Sequence, residues 1–308
     1  MNARVPLKPA TTTSRATYDS VAAVSNEVAG KLAAQLQTHT QGEVLFTAAD
    51  RGRYSTDASI YQQTPAGAFV PRTTADAETA LHICRDLKVP LVARGGGTSQ
   101  CGQTVGAGLV MDHTKHLHKV LALDAAQRTV EVEPGIVLDH LNAQLKPHGL
   151  WYPVDVSTSA QATLGGMAGN NSCGSRSIAY GNMVHNVLAT KVWTSDGALH
   201  DFGSFDQATG TALTLGQKVR DLALALRPEI EQHWPKVMRR VGGYNLDIFH
   251  NQSERPYTND GAVNLAHLLV GSEGTLALTR SLTLKLAELP RAKVLGVVNF
   301  PTFYKAMD

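Results

Sequence analysis

The chain has 308 residues, 43% of them hydrophobic and 18% charged, and its 28 basic and 26 acidic residues leave a formal net charge of +2. This composition is typical of a globular protein, and the length suffices for two subdomains around buried cores. The near-neutral charge without a dense basic stripe argues against nucleic-acid binding, and no apolar run approaches the length of a membrane span.

The three cysteines, Cys84, Cys101 and Cys173, form no C-x-x-C pair. A sparse, odd set is typical of a reducing compartment, so we predict a cytoplasmic protein, with the periphery of the inner membrane as an alternative place. An iron–sulphur cluster normally needs four ligands, and this chain alone does not supply them. We expect the cysteines to behave as small buried apolar residues.

Residues 1–40 are predicted to be a flexible leader. The first thirty are rich in alanine, threonine and serine, and Pro6 and Pro9 would interrupt an amphipathic helix.

A helix is predicted to begin after Thr73, because Asp76 three residues later completes a capping box. Apolar residues follow at helical spacing on one face, and they include Cys84, which we therefore assign to the core. Periodicity and turn residues predict the other elements, in chain order: strand 89–93, strand 109–112, strand 129–133, helix 137–148, strand 187–194, helix 219–234 and β-segment 275–286. The fold class is α+β, with two sheet-bearing lobes.

The first glycine loop, residues 94–102, follows the predicted strand 89–93 and contains three consecutive glycines and then two hydroxyl residues. Consecutive glycine N–H groups form an anion-binding nest, although a glycine cluster also forms ordinary tight turns. The dinucleotide motif G-x-G-x-x-G does not fit, and in the phosphate-loop motif Gln103 occupies the lysine position. Because Gly106 and Gly108 disfavour a helix, the sequence predicts strand–loop–strand.

A second glycine segment, residues 162–174, is too rich in small residues for a packed strand and suits close backbone approach to a flat ligand. Further short motifs follow in the order Y-G (180–181), V-L (187–188), D-G (196–197), G-Y-x-L (243–246) and G-S-E-G-T-L (271–276).

In this order and spacing, the motifs resemble the PCMH-type FAD-binding domain of the vanillyl-alcohol oxidase and p-cresol methylhydroxylase superfamily. The branch with D-lactate, D-2-hydroxyglutarate and glycolate dehydrogenases is the most similar. Met167 and Cys173 depart from the usual asparagine and glycine of the second glycine segment.

The resemblance implies two α/β subdomains with FAD between them, at 41–120 and 121–290, and the start of a substrate or cap domain at 291–308. Carried over to this sequence, the FAD-binding residues would be Arg94, Gly95, Gly96, Gly97, Thr98, Ser99, Gly102, Asp155, Thr163, Gly165, Gly166, Asn171, Ser172, Gly174, Tyr180, Val187, Glu273 and Gly274. Family members that bind FAD covalently use a histidine where this chain has Thr98, so we expect non-covalent FAD.

The activity implied is oxidation of a D-2-hydroxy acid, such as D-lactate or D-2-hydroxyglutarate, by hydride transfer to flavin N5. Electrons would pass to a quinone, a cytochrome or an iron–sulphur domain rather than to NAD, and any iron–sulphur cluster would belong to a further C-terminal part. The family's base and metal ligands come from the cap domain, so we assign no catalytic base and no metal site. The alternatives are an FAD-binding electron-transfer or scaffold subunit without its own substrate site, and a dinucleotide sensor.

Other candidate residues receive structural assignments. His113, His116 and His118 form an H-x-x-H-x-H pattern that suits a metal in principle, but we expect a surface turn there. Glu273 is expected to accept backbone N–H bonds or to touch the adenosine end of FAD. Arginines that suit a substrate carboxylate are expected to be solvated; they are Arg176, Arg239 and Arg240.

Overall fold

The computed structural model of the protein describes residues 24–292 and 294–308, and it confirms the α+β class. The helices are α1 (Asn26–His39), α2 (Ala48–Arg53), α3 (Thr74–Asp86), α4 (Leu138–Leu145), α5 (Leu164–Asn170), α6 (Ser177–Tyr180), α7 (Gly210–Ala225), α8 (Arg227–His233), α9 (Ala266–Leu269) and α10 (Phe303–Met307). Short 3₁₀ turns lie at Lys146–His148, Met183–His185, Phe205–Gln207 and Leu246–Phe249.

The strands form two main sheets. They are β1 (Glu43–Leu45), β2 (Gly67–Val70), β3 (Leu91–Arg94), β4 (Leu109–Asp112), β5 (Val120–Asp124), β6 (Thr129–Val132), β7 (Leu150–Trp151), β8 (Val187–Trp193), β9 (Leu199–Phe202), β10 (Leu278–Lys285) and β11 (Ala287–Glu288). The first sheet has the order β1-β2-β4-β3, and the second has the order β5-β6-β10-β8-β9. β7 and β11 form a small antiparallel pair. Within the described ranges, no helix is long and apolar enough to span a membrane.

Strands β3 and β4 are parallel neighbours, with Leu91 opposite Leu109 and Arg94 opposite Asp112. The chain between them, which includes the first glycine loop, is not helical. The predicted strand–loop–strand is therefore confirmed. Because the strands are parallel, the loop after β3 and the residue after β4 lie at the same edge of the sheet, where α/β proteins commonly bind ligands.

The predicted start of α3 is also confirmed, with a reciprocal capping box. The Thr73 hydroxyl accepts from the Asp76 N–H at 3.1 Å, and the Asp76 carboxylate accepts from the Thr73 N–H at 3.0 Å. The same carboxylate accepts from the Gln41 N–H at 2.9 Å, which fixes the chain entering β1. Cys84 is buried on the inner face of the helix, as predicted.

The prediction of a flexible leader up to residue 40 is wrong for its second half, because α1 covers Asn26–His39. Apolar residues four apart, Val28, Leu32 and Leu36, form one face of this helix, and the last two are fully buried against the first core. The prolines that suggested disorder lie outside the described residues.

Two other element bounds differ from those predicted. The helix expected at 219–234 begins earlier, at Gly210, and is interrupted at Leu226. A new helix begins at Arg227, with Pro228 as its second residue, a position near a helix start that tolerates proline. The long β-segment begins at Leu278 rather than at 275, because the left-handed Gly274 makes a turn just before it.

Two hydrophobic cores lie behind the sheets, and the smaller one contains residues from both sheets. The larger core packs under the second sheet. The smaller core joins α1, α3 and the first sheet, but it also contains Trp193 of β8 and Leu278 of β10. The second sheet therefore closes the core of the first.

We predict that Leu36→Ala lowers the free energy of unfolding by about 2–5 kcal/mol, the range for truncating a fully buried leucine. Urea denaturation followed by circular dichroism measures the change. Leu222→Ala on the outer side of α7 is the control; its side chain is 51% exposed, so a change within about 0.5 kcal/mol is expected. Equal effects of the two substitutions would contradict the role of α1 in the core.

Candidate functional site

A cavity of about 460 Å³ is lined by residues of both sheets and lies at the carboxyl ends of β3 and β4. This volume is in the range of small-molecule sites. The first glycine loop and the second glycine segment both line it. Twelve of the residues predicted to bind FAD are among its lining, namely Arg94, Gly95, Gly96, Gly97, Thr98, Ser99, Thr163, Gly165, Gly166, Ser172, Glu273 and Gly274.

The first glycine loop presents backbone donors to this cavity. The N–H groups of Gly96, Gly97 and Thr98 donate to no other residue in the part of the chain that the structure describes. Gly97 has a φ of +64°, a left-handed conformation that favours glycine. Successive N–H groups around such a residue form a nest that suits a phosphate oxygen.

Two glycines of this loop also allow close packing between the sheets. A Cβ on Gly95 would lie 2.1 Å from the Thr163 hydroxyl oxygen, and a Cβ on Gly96 would lie 2.2 Å from the Gln161 carbonyl oxygen. Any larger residue would push the two glycine-rich segments apart. The glycines thus serve the contact between the segments as well as the cavity.

Arg94 holds the loop from below. Its Nη2 donates to the Thr56 carbonyl at 2.8 Å, and its guanidinium lies 5.4 Å from the centre of the Tyr54 ring. The Tyr54 hydroxyl in turn donates to Asp112 at 2.9 Å. Arg94 lines the cavity, but its guanidinium contacts Thr56 and Tyr54 and so holds the preceding chain segment against the loop.

The second glycine segment forms α5, whose N-cap is Thr163; its hydroxyl accepts from the Gly166 N–H at 3.3 Å. A Cβ on Gly165 would lie 2.6 Å from the Pro134 side chain, so this helix packs directly on the turn after β6. The packing places Gly165 and Gly166 at the cavity wall.

Glu273 links the second glycine segment to Gln103, the residue directly after the first glycine loop, at the rim of the cavity. Its Oε1 accepts from the Gln103 Nε2 at 3.2 Å and from the Asn170 Nδ2 at 3.0 Å. Its backbone N–H donates to the Gly169 carbonyl at 3.0 Å. Among the described residues its carboxylate thus accepts from side-chain amides, whereas the sequence suggested backbone N–H donors.

Six residues predicted to bind FAD are not part of the cavity lining: Gly102, Asp155, Asn171, Gly174, Tyr180 and Val187. The Asp155 carboxylate accepts from the Ser175 hydroxyl at 2.7 Å, and a Cβ on Gly174 would lie 2.0 Å from the Asp155 carbonyl oxygen. Asn171 is fully buried, and its Oδ1 accepts from the Val184 N–H at 3.0 Å. These three residues hold local turns together.

The other three also have structural contacts. A Cβ on Gly102 would lie 2.8 Å from the Tyr61 ring. The Tyr180 ring packs edge-on against Trp151, with 5.4 Å between ring centres. Val187 begins β8 and is buried.

Several lining residues were missed by the sequence analysis, including Gln103, Ser157, Thr158, His113 and Thr190. His113 follows β4 directly, so its place beside the first glycine loop follows from the parallel pairing of β3 and β4. That signal was present in the sequence, where a histidine pattern comes straight after a predicted strand. No such signal was present for Thr190, because the residue pattern of β8 is that of an ordinary half-buried strand and does not show which strand faces the cavity.

The three histidines of the H-x-x-H-x-H pattern separate in the structure. His113 is buried at the cavity, which corrects the expected surface turn, while His116 pairs with Glu43 at 3.1 Å and His118 with the Thr114 carbonyl at 3.1 Å. No group of three or more histidine, cysteine or acidic residues among those described is placed to hold a metal ion.

The cysteines near the cavity also differ from expectation. Cys101 is exposed and Cys173 is half-buried, so neither is the buried apolar residue that the sequence suggested. Both line the cavity.

The arginines suggested for a carboxylate make protein contacts. Arg176 lies over Trp151 at 4.8 Å, and Arg239 donates to the Gly174 carbonyl at 3.3 Å. Arg240 is largely buried and bonds to the Tyr257 hydroxyl at 2.6 Å, which corrects its assignment as solvated.

The half-buried His185 and the buried His267 contact the Tyr257 ring, with 5.8 Å and 5.9 Å between ring centres. Burial lowers the pKa of His185 and of His267 to about 4. His267 Nε2 lies 3.2 Å from the Val187 carbonyl, and the His185 Nδ1 accepts from the Asn182 N–H at 3.1 Å. Both imidazoles are therefore neutral in the folded chain at pH 7.

Residues 65–203 match the sequence profile of a family described as FAD binding domain. The match concerns this segment of the chain. It includes both glycine-rich segments and the predicted Y-G, V-L and D-G motifs, whereas Glu273 lies beyond it. The resemblance stated from the motifs is confirmed.

The FAD binding domain and its flanks are similar to curated dehydrogenases. The chain is 33% identical over 278 residues to a D-2-hydroxyglutarate dehydrogenase of Pseudomonas putida, covering 87% of this chain and 27% of that protein. It is 32% identical over 277 residues to the Pantoea ananatis protein of the same name, covering 86% and 26%. A probable mitochondrial D-lactate dehydrogenase of Danio rerio is 29% identical over 262 residues, covering 84% and 42%.

The chain thus spans about a quarter of the length of the D-2-hydroxyglutarate dehydrogenases that it matches. Among solved structures, an alkyldihydroxyacetonephosphate synthase has the same fold, with a TM-score of 0.60 and 17% identity over 85% of this chain and 44% of that one.

We predict that Gly96→Ala destabilises the folded chain. The new Cβ collides with the Gln161 carbonyl, so the free energy of unfolding falls by about 1–3 kcal/mol. Gly30→Ala in α1 is the matched control; nothing lies within 4 Å of its Cβ, and a gain of about 0.5–1 kcal/mol is expected. Urea unfolding of both variants measures the difference, and equal signs would contradict the close contact.

We predict that the free energy of unfolding falls as the pH is lowered from 6.5 to 4. The unfolded chain binds protons at His185 and His267 in this window while the folded chain does not, which costs about 2–3 kcal/mol for each imidazole. Urea unfolding at pH 7 and pH 5 measures the slope. His185→Asn should flatten it, and His148→Asn at an exposed turn should not; an unchanged slope in both variants would refute the assignment.

Proposed function

We propose that the chain binds FAD non-covalently in the cavity and is the flavin-binding part of an oxidoreductase that acts on a D-2-hydroxy acid. The observation that carries the proposal is the convergence of both glycine-rich segments of an FAD binding domain on one cavity. The cavity offers backbone donors on one side and apolar strand residues on the other, among them Val192 and Leu282. That combination suits a ligand with a charged diphosphate and a flat apolar ring.

The first glycine loop would hold the diphosphate. The N–H groups of Gly96, Gly97 and Thr98 would donate to its oxygens, and the hydroxyl of Thr98 adds a further donor. Threonine has no ring nitrogen for a histidyl–flavin bond, which supports non-covalent binding. Bound FAD would supply the capacity to accept two electrons as a hydride.

The second glycine segment would line the path of the cofactor between the sheets. Gly165 and Gly166 present only backbone at the wall, so a flat ligand can approach closely. Glu273, bonded to Asn170 of the second segment and to Gln103 directly after the first loop, would keep the spacing of the two segments fixed around the ligand. The predicted site residues that do not line the cavity, such as Asn171, would act by supporting the turns.

The substrate class is proposed from the relatives, whose names are D-2-hydroxyglutarate dehydrogenase and D-lactate dehydrogenase. Electrons would leave to a quinone, a cytochrome or an iron–sulphur domain. No residue among those described is assigned as the catalytic base. The relatives' greater length supports a base from a further domain.

We propose subdomains at 41–120 and 121–290, and residues 291–308 as part of a further domain. The two sheets divide near residue 120, where β5 begins. Apolar side chains of the last segment are exposed, for example Val294 and Leu295 at 93% and 88%, as expected for a segment that packs against a further part of the protein. A cytoplasmic location, at or away from the inner membrane, would suit the free cysteines.

We predict that the chain binds one FAD and releases it completely on acid precipitation, since Thr98 allows no covalent link. The visible absorbance of the supernatant and of the washed pellet measures the release. Yellow colour retained in the pellet would refute non-covalent binding, and a chain that binds no FAD would refute the proposed function.

The substrate class is tested by anaerobic addition of D-2-hydroxyglutarate or D-lactate, with the L-isomers as controls. A chain extended to the length of its relatives should lose its oxidised-flavin absorbance with a D-isomer only, and the 308-residue chain should not respond. Bleaching of neither protein would favour the electron-transfer or scaffold alternative. Bleaching of the shorter chain would show that the base lies within it.

A further inference from the structure

Two buried polar side chains at the cavity have no hydrogen-bond partner among the described residues. They are the Nε2 of His113, whose residue is 5% exposed, and the Oγ1 of Thr190, whose residue is 3% exposed. A buried polar atom without a partner is costly and rare in folded proteins, so each instance calls for an explanation.

Position in the fold separates these two atoms from the other unpartnered ones. His200 and Trp193 also have a buried ring nitrogen without a partner in the described ranges, but neither residue lines the cavity. His113 and Thr190 both do, and they come from different sheets, His113 after β4 and Thr190 from β8. A ligand in the cavity therefore has one such side chain on each side.

The backbone around His113 is held firmly. Its N–H donates to the Arg94 carbonyl at 3.1 Å, and its carbonyl accepts from the Leu117 N–H at 3.3 Å. A Cβ on Gly135 would lie 2.0 Å from the same carbonyl oxygen, so the neighbouring turn also packs on it. Burial lowers the pKa of His113, so the imidazole is neutral and offers one donor and one acceptor.

Thr190 lies in the middle of the second sheet. It is opposite Leu282 of β10 and Phe202 of β9, and Val192 two residues later also lines the cavity. Hydroxyl groups on such strands usually reach a neighbouring backbone group or water. A rigid hydroxyl without a protein partner is suited to donate to a ligand or to accept from it.

We propose that the His113 imidazole and the Thr190 hydroxyl each hydrogen-bond FAD directly, so that both sheets contribute a polar side chain to the cofactor. This inference rests on the proposed binding of FAD. The chemistry agrees, because FAD carries ring carbonyl and N–H groups, ribityl hydroxyls and phosphate oxygens, which match a neutral imidazole and a hydroxyl in either role. The two side chains are assigned to positioning the cofactor.

The test is titration of the FAD-free 308-residue chain with FAD, followed by quenching of flavin fluorescence. Thr190→Val keeps the shape of the side chain and removes only the hydroxyl. His113→Leu removes both ring nitrogens, and His113→Gln restores a hydrogen-bonding group. We expect the Kd for FAD to rise about five- to tenfold in Thr190→Val and in His113→Leu, and less in His113→Gln.

The matched control is His200→Leu, which removes a similar unpartnered imidazole outside the cavity and should leave the Kd within about twofold. Thermal unfolding without FAD separates binding from folding. Because the hydroxyl has no partner among the described residues, Thr190→Val should not lower the unfolding midpoint by more than about 2 °C. This variant carries the test if His113→Leu does not fold.

The outcomes are distinct. Unchanged Kd values in Thr190→Val and His113→Leu, with FAD still bound by the wild type, overturn this inference and leave the proposed function standing. A wild-type chain that binds no FAD overturns both. A rise confined to the cavity variants, with His200→Leu unchanged, supports the direct contacts.

Discussion

The structure depends on one close contact, in which the first glycine loop meets residues 161–163. At Gly95 and Gly96 the separation leaves no room even for a methyl group. The loop follows β3 of the first sheet, and its partner is the segment that leads into α5, so this contact fixes the distance between the two sides of the cavity. The rim contact of Glu273 with Gln103 and Asn170 repeats the constraint at the other end of the loop.

This constraint gives the glycines two roles that cannot be separated from sequence. A glycine-rich run is expected wherever backbone approaches a ligand, and equally wherever backbone approaches backbone. Gly96 meets both conditions, since it lines the cavity with an N–H that has no partner among the described residues, while a Cβ at this position would collide with the Gln161 carbonyl. By contrast, Gly174 and Asn171 occur within the same glycine-rich pattern and do not line the cavity; Gly174 packs against Asp155, and Asn171 accepts from the Val184 N–H.

Much of the fold was accessible from sequence because the signals were local. The capping box at Thr73 and the strand–loop–strand around the first glycine loop each depend on residues close in the chain. The site was only partly accessible. His113 enters it through the pairing of β3 with β4, and Thr190 through the facing of two sheets, and both are long-range consequences of packing. The helix α1 was missed because the alanine, threonine, serine and proline content of the first thirty residues suggested disorder. The apolar residues at every fourth position, which indicate a helix, were given less weight.

The shared core has a consequence for how this protein can be divided. Trp193 and Leu278 belong by sequence to the second subdomain, yet they complete the apolar interior beneath α1 and α3. If the chain were cut near residue 120, the first piece would expose the apolar core residues that contact Trp193 and Leu278. The second piece would expose those two side chains to solvent. We therefore expect the two proposed subdomains to unfold together. If one subdomain is exchanged between related proteins, the residues of the other subdomain that pack against it in the shared core must be exchanged with it.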